Sequence, residues 1–339
     1  MLDIRDLTLE ELRAEMTARG LPAYRANQAF RRLYRQGARS FEDFAEFPKS
    51  LRRDLAGFLA LEFPALEGVF EARDRTRKYL FRLADGEFIE AVLIPSASRM
   101  TVCLSTQVGC KFGCAFCASG RRGFIRDLRP SEITGPVLHM RDVLDVDLTN
   151  IVFMGMGEPL DNRVNLGKAI RILHEPEGPG LAARRMTVST SGLLPGIEWL
   201  AGFDIPVNLS ISLHAAADAQ RSRLMPLNRN YPLPGLLKTV QDYRDRGGRM
   251  VTLEYVLLAG VNDAPADAVR LARIARRLRA KVNLIPYSPV QGLEFQPPSE
   301  ADQERFLKSL ERESVRATLR ESKGRDIQAA CGQLAGRAR

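Results

Sequence analysis

TNIVFMGMGEPL, residues 149–160, opens as an apolar, β-branched run and turns at its end into small and acidic residues. Five more such runs follow: RMTVSTSG (185–192), VNLSISLH (207–214), VTLEYVLLAG (251–260), KVNLIPYSP (281–289) and VRATLRES (315–322). Helix-like segments separate them. The clearest is APADAVRLARIARRLRA (264–280), with Leu271, Ile274, Ala275 and Leu278 on one face and Arg270, Arg273 and Arg277 on another. Strands alternating with helices pair in parallel, so about six such units predict an α/β barrel or partial barrel. In that architecture the working site forms at the carboxyl ends of the strands. GMGEP, STSG and SLHA, each at the end of its run, are therefore expected to line one mouth. Each alone could be a turn or a helix cap; their shared position is the stronger signal.

Upstream the pattern is different. LTLEELRAEMTARG (7–20) and YRANQAFRRLYRQG (24–37) carry apolar residues at helical spacing and each stops at a glycine. Residues 1–70 are read as a helical module in which Arg25, Arg31, Arg32, Arg35 and Arg39 form either a phosphate-facing surface or a solvated helix face. Residues 71–95 contain a hairpin turning at Asp85-Gly86.

The 339-residue chain is 45% hydrophobic, enough for a full-sized core, and its net charge of +9 suits a polyanionic partner. Its longest apolar stretches are far short of a membrane span, and the charged, periodic MLDIRDLTLEELRAEM is unlike a signal peptide. A cytoplasmic location away from membranes is expected. A reducing compartment also suits the five cysteines, three of which crowd into CKFGCAFC (110–117).

Cys110, Cys114 and Cys117 can share one metal centre, and soft thiolates favour zinc or an iron–sulfur cluster. Zinc needs a fourth ligand, and none of His139, His174 and His214 lies in this loop. A cubane held by three cysteines leaves one iron open. A thioredoxin-like reading of Cys114 and Cys117 leaves Cys110 unexplained. CxxxCxxC after a strand, with an aromatic residue before the last cysteine, resembles the radical S-adenosylmethionine (SAM) signature. That resemblance implies a radical SAM partial (βα)6 barrel over residues 96–339, with Cys110, Cys114 and Cys117 on a [4Fe-4S] cluster and SAM at its open iron. GMGEPL (155–160) resembles the superfamily's GGEP element and implicates Gly157 and Glu158 in SAM binding.

Cys103 in TVCLSTQVGC and Cys331 in DIQAACGQLAG narrow the resemblance to the RlmN/Cfr family of RNA adenine methyltransferases. So do YRANQAFRRLY, EAVLIP, CASGRRGFIRDL, FMGMGEPL, VSTSGLLP, LSISLHA, EYVLLAGVND and NLIPY, which span nearly the whole chain. The C-terminal AACGQLAG leans toward the RlmN branch. The resemblance implies methylation of adenine C2 in 23S rRNA and in the tRNA anticodon loop, with two SAM molecules per turnover. It makes residues 1–70 an RNA-binding accessory domain and the protein a monomer served by an electron donor such as flavodoxin or ferredoxin. Cys331 would carry the methyl group as S-methylcysteine, Glu90 would accept the C2 proton, and Cys103 would release the product through a transient disulfide with Cys331. Further SAM contacts carried over by motif are Ser189, Ser212, Leu213 and His214. Ser288 stands where the family has Asn, and a hydroxyl cannot replace both functions of an amide.

The chemistry supplies an independent reason for radicals, because C2 of adenine is an electron-poor aromatic carbon that ordinary displacement on a methyl sulfonium does not reach. Basic segments RRGFIR (121–126) and the terminal GRAR (336–339) are further candidates for phosphate contact. Three alternatives stay open at this point: a Cfr-type adenine-C8 methyltransferase, a radical activase of another protein, and a non-catalytic zinc or RNA-binding module.

Overall fold

A computed structural model describes residues 1–336. The chain starts with strand β1 (Leu2–Asp3), helices α1 (Leu9–Ala18), α2 (Tyr24–Tyr34) and α3 (Lys49–Phe58), and strand β2 (Leu59–Ala60), which pairs in parallel with β1. Thr8 starts α1 with a reciprocal cap, its hydroxyl accepting from the Glu11 amide while the Glu11 carboxylate accepts from the Thr8 amide. Leu12, Met16, Phe30, Leu33 and Leu55 form a separate small core. That core is closed by Leu138 and Ile172 from later helices, so the module packs on the rest of the molecule.

An antiparallel meander follows, comprising β3 (Ala65–Glu71), β4 (Arg77–Arg82) and β5 (Phe88–Ser96). The 76–95 segment forms the β4–β5 hairpin, and β3 adds an exposed edge strand within the stretch read from sequence as helical. Its alternation is blurred by Gly68, where the register shifts, and both of its faces are largely exposed. β5 pairs with β6 (Arg99–Cys103), the first strand of the parallel part.

Between β6 and the next parallel strand lies an excursion of β7 (Gln107–Gly109), α4 (Ala118–Arg122) and β8 (Phe124–Asp127), then α5 (Pro130–Leu144). Strands β9 (Asn150–Phe153), β10 (Met186–Thr190), β11 (Asn208–Ser212), β12 (Thr252–Leu257), β13 (Lys281–Pro286) and β14 (Ala317–Leu319) coincide with the six apolar runs. Helices α6 (Arg163–His174), α7 (Leu194–Ala201), α8 (Asp218–Leu224) with α9 (Leu233–Asp245), α10 (Pro265–Leu278) and α11 (Glu300–Arg312) make the crossovers in turn. Four of these helices, α5, α7, α9 and α10, have proline in their first two positions, where the missing N–H leaves no bond unmade.

The parallel strands run in the order β14-β13-β12-β11-β10-β9-β6, and β5, β4 and β3 extend the β6 edge. β6 pairs with β5 rather than with β14, so the barrel is open. Six βα units beginning at β6, capped by β14, are the expected partial (βα)6 barrel. One continuous core fills it, with Ile151, Phe153, Val188, Leu209, Leu253 and Leu284 among the strand residues facing the helices or the interior.

Candidate active site

β7 and β8 pair as a short antiparallel hairpin whose tip, residues 110–123, carries the three crowded cysteines. Gly109 has φ +76 and sits against Gly123, whose carbonyl accepts from the Cys110 amide at 3.1 Å; a Cβ at Gly109 would drive into that carbonyl. The loop is tied at its far side too, the Ala115 amide donating to Leu224 of α8 at 2.9 Å.

The GMGEP segment after β9 is locked to residues 104–107. Gly155 donates to Leu104, Met156 donates to Ser105 Oγ at 3.0 Å, and the Glu158 amide donates to Gln107 Oε1 at 2.8 Å. A Cβ on Gly155 would lie 2.7 Å from the Leu104 carbonyl carbon, so only glycine allows this approach. Gln107 also donates through Nε2 to Asp127 and Asp161, joining the hairpin base to the same network. Glu158 is buried; its Oε2 accepts from both the amide and the hydroxyl of Ser191 at 2.7 Å. Burial raises its carboxyl above the usual range, and the Ser191 bonds oppose the rise.

One cleft at the carboxyl ends of the strands gathers Cys110, Cys114, Cys117, Gly157, Glu158, Ser189, Ser212, His214 and Cys331. The hydroxyls of Ser189 and Ser212 stand 3.4 Å apart across β10 and β11. His214 has φ +53, its Nδ1 accepts from the Val256 amide at 3.1 Å, and burial helped by the Arg221 charge holds its imidazole down to about 3. It is therefore neutral with the proton on Nε2.

Four of the residues singled out in the sequence do not line this cleft. Leu213 is fully buried and offers backbone contacts, its amide donating to the Glu254 carbonyl at 3.0 Å. Ser288 is 2% exposed and its hydroxyl has no hydrogen-bond partner among the described residues. Cys103, at the end of β6, is buried with Val92, Met156, Ala329 and Leu334, and burial with the Cys331 thiol nearby pushes it up to about 12. Glu90 lines a second cavity, together with Lys78, Arg121, Arg122, Gln328 and Gln333.

The C-terminal segment separates the two cavities and ties these residues together. The Ala118 amide donates to Gly332 and the Ser119 hydroxyl to Leu334, which hold Cys331 over the cysteine loop. The amides of Ala335 and Gly336 donate to Glu90 Oε2 at 2.7 and 3.0 Å, and Lys78 Nζ lies 3.0 Å from Glu90 Oε1. Of the tail GRAR, all but Gly336 lies outside the described residues.

Among the described residues, the basic ones flagged in the sequence are engaged within the molecule. Arg31 pairs with Glu177, and Arg35 donates to Pro176 and Gly178, linking the helical module to the segment after α6. Arg32 pairs with Glu46, Arg39 lies near Asp142, and Arg25 bonds Gln28. Arg122 pairs with Glu87, and Arg126 with Asp85 and Glu132.

Sequence reading passed over Glu254 and Arg320, which line the cleft, and Arg221 behind it. Glu254 is buried in β12; Oε1 accepts from Ser210 and Asn283 while Oε2 has no partner among the described residues. An acid inside an apolar strand run was its available signal. Burial raises both the Cys103 and the Cys331 thiols above the usual range, and the Arg320 charge opposes the rise.

The donor set suits a cluster better than a single ion. Among the described residues no three His, Cys, Asp or Glu side chains converge as they would on one metal, yet three thiols border one space. The irons of a cubane are separate atoms, so its thiolates stand around a volume. Burial pushes Cys110 up to about 12 and Cys114 well above the usual thiol range, a rise that the positive charge of a bound metal would oppose. The unpaired Glu254 oxygen in the same cleft suits a polar ligand with hydroxyl or ammonium donors.

Comparison with known proteins gives consistent relatives. The radical SAM superfamily profile matches residues 104–272, and that of the ribosomal RNA large subunit methyltransferase N-terminal domain matches residues 2–60. The dual-specificity RNA methyltransferase RlmN of Syntrophus aciditrophicus is 45% identical over 99% of this chain and 97% of its own length. Its counterpart in Geobacter sulfurreducens is 44% identical over 99% of this chain and 93% of its own. A crystal structure of a radical SAM methyltransferase from Sphaerobacter thermophilus superposes with a TM-score of 0.95 at 45% identity, covering 99% of this chain and 100% of that one.

Proposed function

The chain belongs to the RlmN family of radical SAM proteins, and from that premise we propose that it methylates C2 of an adenine in 23S rRNA and in the tRNA anticodon loop. The observation that carries the reading is the single cleft in which the three-cysteine loop, GMGEP, the Ser189–Ser212 pair, His214 and Cys331 meet. A zinc module would have no use for Cys331 poised in that cleft beside a buried second thiol.

In this reading Cys110, Cys114 and Cys117 hold a [4Fe-4S] cluster. Gly157, Glu158, Ser189, Ser212 and His214 hold SAM, with Leu213 and Ser288, which do not line the cleft, as support from behind. When bound, cluster and SAM supply reductive cleavage to a carbon-centred radical, using an electron from a donor such as flavodoxin or ferredoxin. Cys331 first takes a methyl group as a thiolate nucleophile, assisted by the Arg320 charge, so that two SAM molecules are used per turnover. It then presents that methyl to the base: one methyl hydrogen would pass to the radical that bound SAM supplies, and the remaining methylene would bond to C2 while staying on the Cys331 sulfur.

Glu90 removes the C2 proton, the one electron borrowed to make the radical would be handed back, and the Cys103 thiolate attacks the Cys331 sulfur while the departing methylene carbon takes a proton from solvent. That attack releases methylated RNA and leaves a Cys103–Cys331 disulfide, which a reductant must open. The side chains of Ala329 and Leu334 pack with Cys103, which supports the approach of the two thiols. Because Glu90 faces the second cavity and is bonded to Ala335 and Gly336, proton removal from a base held at Cys331 requires the C-terminal segment to shift. The target base must be turned out of its stack to enter, so loops are favoured substrates.

Nucleoside mass spectrometry tests this. Reconstituted protein, SAM and reductant should convert adenosine in unmodified rRNA and tRNA to 2-methyladenosine, and Cys331→Ala should not. 8-Methyladenosine would move the activity to the other branch of the family, and no methylated adenine despite SAM cleavage would overturn the substrate.

A further inference from the structure

Arg221, in α8, is fully buried, yet every bond of its guanidinium goes to a neutral acceptor. Nη1 donates to Asn228 Oδ1 at 2.7 Å and Nε to the Leu213 carbonyl at 3.2 Å. Nη2 donates to the carbonyls of Ser191 at 2.5 Å and Ser212 at 3.3 Å. No carboxylate pairs with it directly among the described residues; exposed Asp218 reaches it through Asn228 Nδ2. Glu158 lies across the Ser191 residue, accepting from its amide and hydroxyl while Arg221 binds its carbonyl.

A buried cation without a touching anion is costly. The cost falls when negative charge arrives nearby. α8 ends against the cysteine loop: the Leu224 carbonyl accepts from Ala115, and Leu224 and Met225 pack with Phe116 in a cluster that Cys114 and Cys117 border. Among neighbouring groups, ionised Cys114 is the strongest support for the Arg221 charge. Three thiolates around an iron–sulfur core bring net negative charge to this place, and one-electron reduction adds another unit.

We infer that Arg221 is the built-in counter-charge of the cluster site, a positioning residue that stabilises the thiolate-bound cluster and its reduced form while clamping the ends of β10 and β11. The inference rests on the cofactor reading above. It deepens that reading by naming the residue that sets how readily the cluster accepts its electron. Removing the charge disfavours the more negative, reduced state, whereas a purely mechanical clamp has no such effect.

The test is the midpoint potential of the reconstituted cluster in wild type, Arg221→Lys and Arg221→Met, followed by electron paramagnetic resonance during redox titration. Lysine keeps the charge and loses the planar fork; methionine loses both. The expected result is about a tenfold loss in the equilibrium for reduction in Arg221→Met, about 59 mV for one electron, with Arg221→Lys close to wild type. Asn228→Asp, which puts a carboxylate against an intact Arg221, should move the potential in the same direction as Arg221→Met and guards against a methionine variant that does not fold. Equal shifts in the lysine and methionine proteins, or none in Asn228→Asp and Arg221→Met, would overturn the counter-charge. Wild-type protein that takes up no cluster would instead overturn the cofactor reading itself.

Discussion

Glu90 has its two oxygens committed to different parts of the chain, Oε1 to Lys78 and Oε2 to the amides of Ala335 and Gly336. Glu90→Gln can still accept from those amides but cannot take a proton. Methylation should fall by about 10²–10⁴, the range of a lost general base, with RNA retained on Cys331 in a denaturing gel. The same change strands the Lys78 ammonium in a mostly buried site, at about 3–5 kcal/mol. Lys78→Met/Glu90→Gln should recover most of that stability in a thermal melt while activity stays low. Arg221 shows where sequence is mute. An arginine in DAQRSRL reads as a solvated helix face, because its burial is decided by distant segments.

At the level of elements, the cysteine loop is held in place by its hairpin. Gly109→Ala would meet the Gly123 carbonyl and force the β7–β8 register apart, in a conformation L side chains rarely adopt. Iron and sulfide per chain after reconstitution should drop several-fold, with the thermal transition of the barrel moving little, because the hairpin stands outside the ten-stranded sheet. The parallel strands were legible because each is a β-branched apolar run bounded by polar turn residues, and helix α10 because its two faces differ. β3 was not, since a short, exposed edge strand has no buried face to impose a pattern on ALEGVFE. The C-terminal segment was also unreadable as an element. It has little regular structure and is fixed by bonds to Ala118, Ser119, Arg122 and Glu90, none of which leaves a local periodicity.

On the scale of the whole molecule, the +9 charge remains the term available for a polyanion even though the arginines of the helical module are occupied within the protein. If about six phosphates are neutralised, RNA affinity should fall by about 10³-fold between 50 and 200 mM salt, read by fluorescence anisotropy; a loss under threefold would remove electrostatics as the main source of affinity. The docking of the module could not be foreseen from sequence, because it rests on contacts distant in the chain: Arg31 and Arg35 with residues 176–178, and Leu138 and Ile172 closing its core. The candidate site was legible to the extent that its residues sit at strand ends. Its division into the cleft of the cysteine loop and a second cavity across the C-terminal segment was not.

The proposed two-cysteine route can be tested on the protein. Cys103→Ala, incubated anaerobically with cluster, SAM, reductant and RNA, should stall with RNA bonded through a methylene to Cys331, seen by mass spectrometry of the nuclease-trimmed peptide spanning that residue. The Cys103→Ala/Cys331→Ala protein should carry nothing. Free 2-methyladenosine released by Cys103→Ala at the wild-type rate, with Cys331 unmodified, would contradict the account.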